Sequence, residues 1–518
     1  MPDKLDYFKI ITGKTFDETY RLPTTDEIIK RQIKQLQSKY PLRLVGTSQE
    51  GQVFISEEER EVNCHILGAP GEGKSKFLES SIRQDIDRGI GLCLLDPSDK
   101  GQTYQDILSY CAKIDYKKVL IIDPKLCAAA QKYPCLAPLK RKYAKMSVEG
   151  VMETVNILFD TKSSDTPRIR RHLQALLRIL AKTGNTLFET QYFSDYKRDA
   201  DKRYEILYRL NPEDRDLSTI ENLFRSQYHF EQYFYSTINR LDLFWEEPLK
   251  TMLAANSGID FVKLIREGWV ILVNLAPGKY INPEESQLLG VLIISELIQA
   301  IDILADSGWK GVHYLYIDEA ARFATPQIDT LLSFKRKSGL RLVLAHHYFK
   351  QFDNQKVLNS IKNNARIKLM FDTPNYDDRL EMVKALGYGG DIPPVLAAYA
   401  NQNIPKQHAV IRKNKESPVR IRIPDVEPVK INKDKLDSYI EKILASEWYL
   451  TSEQITKQIN ARSVPKNSKG SQYRKASDRK ADNKTSLPGG IQSRREQQSV
   501  SKSSQKSSDA KDEKPIKI

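Results

Sequence analysis

GAPGEGKS, residues Gly68 to Ser75, is the stretch on which the fold turns. It fits the pattern G-x-x-x-x-G-K-[ST]. There, glycines let backbone N–H groups curl around phosphates, a lysine puts a point charge on the β and γ oxygens, and a hydroxyl ligates magnesium. Read in this way, Gly68, Ala69, Pro70, Gly71, Glu72 and Gly73 form the cradle, Lys74 is its cation and Ser75 the magnesium ligand. The surroundings are those the pattern needs. A strand-like apolar run, Val62 to Leu67, precedes it, and Gly73 to Ile86 has helical spacing with Phe77, Leu78, Ile82 and Ile86 on one side. The alternative reading is a glycine-rich surface loop.

A second half-site lies far down the chain in HYLYIDEA, His313 to Ala320. An apolar strand ending in Asp-Glu puts Asp318 where it can hold magnesium through water and Glu319 where it can polarise an attacking water. Two acids at the start of a helix are common in themselves. Paired with the phosphate loop they specify a magnesium-dependent NTPase using ATP and Mg2+, and the Glu favours hydrolysis over binding alone. Asp96 in LLDPSDK and Asp123 in IIDPK also follow apolar runs, at the edge where ligands sit in open α/β sheets. Each is equally an Asp-Pro pair that starts a turn.

Working outward, GIGLCLLD and KVLIID read as strands buried on both faces, and strand character returns in WVILVNL, LRLVLAHH and RIKLMFDT, with helices between. Pro283 to Leu304 reads as a long amphipathic helix. Strands alternating with helices predict a doubly wound α/β domain with a mostly parallel sheet. The expected organisation is an N-terminal segment (1–41), a first core segment (42–127), an inserted all-α domain (128–265) and a second core segment (266–428). C-terminal helices (429–463) and a disordered basic tail (464–518) follow. PLRLVGTSQEGQVFISEEE reads as two short strands about a turn, and Thr451 and Gln454 have the spacing of a capping box.

Lys and Arg number 81 against 67 Asp and Glu, but fifteen basic and six acidic residues fall between Ala461 and Ile518, leaving 66 against 61 elsewhere. The positive excess therefore sits largely on the tail, which suits an anionic partner. The five cysteines show no metal-binding spacing and read as small core residues of a reducing compartment. The start has no secretory pattern and no apolar window reaches about eighteen residues. The expectation is a cytoplasmic chain with no transmembrane segment.

With these residues placed, the chain resembles the HerA/FtsK superfamily, and within it the TraD/TraG-type coupling ATPases of conjugative transfer (type IV secretion). The resemblance runs from about Leu42 to Val419. It rests on HILGAPGEGKSKFLES, GLCLLDPSDKG, TPRIRRHLQALLRIL, EGWVILVNLAPGKYINPEESQLLGVLIISEL, and YIDEAARFATP continuing through FKRKSGLRLVLAHHYFKQF to NNARIKLMFDT. It implies RecA-like domains in a ring, usually a hexamer, that threads DNA through a central channel, with each nucleotide at a subunit boundary. Arg336 in FKRKSGL matches the arginine that reaches a neighbour's phosphates, although it also reads as a solvated basic face with Lys335 and Lys337. His347 stands where the family usually has a glutamine that senses the γ-phosphate, with Gln351 four residues on. The coupling proteins generally carry N-terminal membrane helices, and none is read here.

A translocating motor should grip nucleic-acid phosphates without reading bases. Candidates are Arg168, Arg170 and Arg171, Lys335 to Lys337, and the tail, against the alternative of ordinary surface helices. The leading expectation is a DNA translocase in conjugative or mobile-element transfer, with a relaxase or secretion machinery as a possible partner. The alternatives are a HerA-type repair helicase and a nucleotide-switched scaffold with little hydrolysis.

Overall fold

The computed structural model describes residues 42–140, 144–158, 167–334, 338–386, 404–414 and 416–463. The expectations placed on residues 1–41, on Lys335 to Lys337 and on the tail from residue 464 lie outside the described residues.

Seven strands run parallel in the order β10-β3-β9-β8-β4-β7-β5. They are β3 (Cys64–Leu67), β4 (Gly91–Asp96), β5 (Val119–Ile122), β7 (Val270–Asn274), β8 (His313–Ile317), β9 (Leu340–His346) and β10 (Ile367–Met370). Every residue of β3, β4, β5, β8, β9 and β10 is buried, which is why these stretches read as unbroken apolar runs. One strand, β9, separates β3 from β8. The strand ends that carry the phosphate loop and the acidic pair are therefore two strand spacings apart, roughly 10 Å, within reach of side chains that lean together.

The sheet continues beyond β10 with four antiparallel strands in the order β11-β12-β1-β2. The hairpin β1 (Arg43–Ser48) and β2 (Gly51–Ile55) follows the sequence reading. The strands β11 (His408–Lys413) and β12 (Val419–Arg422) are not evident from the sequence. Arg412 and Lys413 close β11, Arg420 and Arg422 flank Ile421, the one buried residue of β12, and so neither shows the continuous run of a fully buried strand.

The helix α1 (Lys74–Asp87) follows the loop and lies on the sheet through Phe77, Leu78, Ile82 and Ile86. Its last turn carries Asp85, fully buried and bonded by Arg60 at 2.7 and 2.9 Å, Arg43 at 2.6 Å and the Tyr316 hydroxyl at 2.6 Å. Such a buried cluster fixes geometry more than it adds net stability. Here it ties α1 to β1 and to the acidic strand β8.

Between β5 and β7 the chain is mainly helical and includes α2 (Ala144–Leu158) and α3 (Pro167–Lys182). The apolar side of α3, including Leu173, Leu176, Leu177 and Leu180, is buried, while Arg168, Arg170, Arg171 and Arg178 face out. Helix α4 (Pro283–Asp306) packs against α2 and the short helix Phe261–Arg266. This cover makes it a core helix rather than the amphipathic one its sequence suggested. By length and composition α4 could cross a membrane, yet 83% of its most apolar window is buried in the protein.

The C-terminal segment is strapped onto this body. Strand β13 (Tyr449–Thr451) pairs with β6 (Lys132–Pro134), and the Tyr449 hydroxyl bonds both the N–H and the carbonyl of Ile121 at 2.8 Å, covering the exposed edge of β5. Thr451 and Gln454 make the reciprocal capping bonds at the start of α5 (Ser452–Ser463). Near its end Arg462 reaches Glu189 at 2.7 Å, Asn256 at 2.6 Å and the Ala254 carbonyl at 2.8 Å. All five cysteines are buried and free.

Candidate nucleotide-binding site

The loop from Gly68 to Ser75 joins β3 to α1 and is walled by the ends of neighbouring strands. The Gly68 N–H donates to the His346 carbonyl at 3.3 Å and that of Ala69 to the Asp372 carbonyl at 2.8 Å. A Cβ at Gly68 would lie 2.5 Å from Cβ of Phe371, so nothing larger fits without moving β10. Gly73 has φ of +118°, a conformation that L side chains rarely adopt, and a Cβ there would meet Ile423 at 2.9 Å. Helix α1 starts at Lys74 with no side-chain cap and no acid in its first turn. Its positive end and unbonded N–H groups are thus left for an outside anion.

Lys74 is buried, its ammonium donating to the carbonyls of Gly68 at 2.5 Å and Ala69 at 2.9 Å and to His347 Nδ1 at 2.9 Å. Burial pulls its pKa down to about 8, against the pull of Asp318, Glu319 and Glu72. An ammonium can only donate, so His347 Nδ1 accepts and the ring proton sits on Nε2, which faces Glu319 Oε1 at 3.8 Å. The backbone N–H groups of His347 and Tyr348 both donate to the Gln351 carboxamide oxygen, at 2.9 and 3.1 Å. Gln351 therefore shapes the turn that presents His347.

Across the cleft, the Ser75 hydroxyl lies 3.3 Å from Asp318 Oδ2. Burial, reinforced by the neighbouring Asp96, lifts the Asp318 carboxyl to about 6, with Lys74 opposing. A hydroxyl and a carboxylate oxygen at this separation are the hard donor pair that Mg2+ prefers, and a proton competes for the carboxylate below about pH 6. Glu319 sits in the left-handed region, φ 50° and ψ 48°, which turns its carboxylate into the cleft. Burial pushes its pKa up, but the hydrogen bond from His347, the charge of Arg322 and that of Lys74 prevail and hold it below the usual value. It is ionised at neutral pH, as a base must be.

The structure thus brings the Gly68–Ser75 loop, Asp318, Glu319 and His347 into one cleft. Arg336 lies outside the described residues. Asp96 and Asp123 have their carboxylates occupied. Asp96 accepts from Ser98 N and Oγ and from Tyr104 N, and Asp123 caps Pro124–Ala130 while accepting from Asn274. The sequence reading missed Arg322, whose Nε is 2.9 Å from Glu319 Oε2. Its spacing, three residues after Glu319 in a helical turn, was the available signal. It also missed the buried His65–His346 pair, whose Nε2 atoms are 2.7 Å apart behind the loop, joining β3 to β9.

Fold and site together define a P-loop α/β protein with a RecA-like sheet. The bacterial conjugative coupling protein TrwBΔN70, in its unbound monoclinic form, is similar in structure. It is 14% identical with a TM-score of 0.51 over 75% of this chain and 92% of that one. TrwB in complex with ADP and Mg2+ aligns at 14% identity and TM-score 0.49, covering 77% and 94%. VirB4 of Thermoanaerobacter pseudethanolicus aligns at 15% and 0.46, covering 74% and 96%. At 14% identity the likeness to TrwBΔN70 speaks for the fold alone. No family model and no curated protein matches the sequence.

Proposed function

We propose that this chain is an ATP- and Mg2+-dependent motor that moves DNA, working as a cytoplasmic homo-hexamer in conjugative or mobile-element transfer. The observation that carries the reading is the 3.3 Å approach of Ser75 to Asp318, which joins a phosphate loop and an acidic strand end 243 residues apart. The likeness in fold to a conjugative coupling protein favours this motor among P-loop proteins. On this reading residues 42–127 and 266–428 make the ATPase core, 128–265 the helical insertion, and 429–463 the helices that strap it.

The residues divide the work by their chemistry. The loop N–H groups and Lys74 hold the phosphates. Ser75 and Asp318 hold Mg2+, which supplies charge neutralisation when bound. Glu319 takes a proton from the attacking water, and Arg322 and His347 orient its carboxylate. His347 also sits against Lys74, where it responds to whatever occupies the phosphate end of the cleft. Arg336 from a neighbouring subunit supplies a further cation. DNA is held by its backbone without base reading, and a relaxase or a secretion complex is the partner that delivers or receives it.

The test is an ATPase assay with and without single- and double-stranded DNA. The motor reading expects Mg2+-dependent hydrolysis that DNA accelerates severalfold or more. Hydrolysis indifferent to both kinds of DNA contradicts it and favours the nucleotide-switched scaffold.

A further inference from the structure

The exposed apolar side chains of this protein are unevenly chosen. Among the described residues five of the seven large ones are tyrosines, and four of these, Tyr204, Tyr208, Tyr228 and Tyr235, lie in the helical stretch between β5 and β7. That stretch exposes none of its described Phe, Leu, Ile, Val or Met side chains to the same degree. A face offering only phenol rings suits partners that stack.

Tyr228 and Tyr235, 66% and 52% exposed, stand on neighbouring short helices, Gln227–Tyr233 and Tyr235–Ile238. A run of ring contacts leads from Tyr228 to His229 (6.0 Å) to Tyr233 (5.7 Å), and the Arg168 guanidinium lies 5.8 Å over the Tyr233 ring. His172 Nδ1 is 3.1 Å from the Tyr233 carbonyl, which fixes α3 against these helices. Arg168, Arg171 and His172 have i, i+3, i+4 spacing and so share one face of α3. Among the described residues no carboxylate pairs with Arg168, Arg170 or Arg171. Across Arg168–His172 and Arg225–Arg240 the sequence has one acid, Glu231. Arginines that no described carboxylate pairs, on a face that also carries the exposed Tyr228 and Tyr235 rings, offer the two attractions a single-stranded nucleic acid needs, phosphate to cation and base to ring.

We infer that this face of the helical stretch binds single-stranded nucleic acid, with Tyr228 and Tyr235 stacking on bases and Arg168 and Arg171 on phosphates. The inference rests on the proposed nucleic-acid partner but not on hydrolysis, since none of these residues belongs to the nucleotide cleft. Binding of the full chain to a fluorescent oligo(dT) of about 20 nucleotides, followed by anisotropy across salt concentrations, tests it. Replacing both tyrosines by Ala weakens binding about tenfold per ring, whereas Tyr228→Phe with Tyr235→Phe keeps it, because phenylalanine stacks as well. Arg168→Ala with Arg171→Ala flattens the salt slope by about 1.4, the contribution of two phosphates on a single strand. Basal ATPase stays unchanged throughout. If the wild type binds the oligonucleotide and the Ala pair binds equally well, this face is overturned while the motor reading stands. If the wild type binds no oligonucleotide and DNA leaves its ATPase unmoved, both fall.

Discussion

Glu319→Gln keeps nucleotide binding within a few-fold while turnover drops by roughly 10²- to 10⁴-fold, the usual contribution of a positioned general base. The amide is nearly isosteric and still offers an oxygen to Arg322, 2.9 Å from the carboxylate it replaces. What it lacks is basicity. In the native protein His347, Arg322 and Lys74 hold the Glu319 carboxyl ionised despite its partial burial, and no amide can take up the proton that leaves an attacking water. Steady-state hydrolysis and a binding isotherm on the same preparation separate the two effects. Turnover within a few-fold of the wild type would show that the proton goes elsewhere.

Lys74→Ala removes the single buried cation of the phosphate loop, and the expected loss of ATP affinity is about 100-fold or more. Each charge-assisted contact contributes on the order of 1.5–3 kcal/mol, and the ammonium can make more than one with a polyphosphate. Nucleotide-dependent assembly, followed by sedimentation, disappears with it. The fold does not suffer in parallel, because burial already lowers this lysine to about 8, so the charged form is held at a cost in the native state. An unchanged or raised thermal midpoint therefore distinguishes a lost ligand contact from a damaged protein. Assembly that still responds to ATP would mean that it is not gated through this loop.

The features of the site that depend on local pattern were legible in the sequence. GAPGEGKS and the acidic end of HYLYIDEA each carry their chemistry within eight residues, and the apolar runs around them are long enough to read as buried strands. What one stretch cannot show is its neighbour. Asp96 and Asp123 read equally as cleft-lining groups and as turn starters, and only the structure shows the N–H donors each accepts and that Asp96 lies close enough to raise the Asp318 pKa. Helix α4 looked amphipathic because its few polar residues fall in a pattern, yet α2 and the helix Phe261–Arg266 cover it. The antiparallel strands β11 and β12 were hidden because Arg412, Lys413, Arg420 and Arg422 break the apolar run that an interior strand is expected to show. Arg322 went unread for a different reason. Its i,i+3 spacing from Glu319 is shared by many surface pairs, and only the structure shows the 2.9 Å contact.

The most direct measurement is of ATPγS affinity with and without Mg2+ in the wild type, Ser75→Ala, Asp318→Asn and the double variant. A single ion held by both residues requires that the gain in affinity from Mg2+ be lost in either single variant and that the double be no worse, since partners in one site do not add independently. If Asp318→Asn keeps the full Mg2+-dependent gain while Ser75→Ala loses it, the loop and the acidic strand do not serve the same ion.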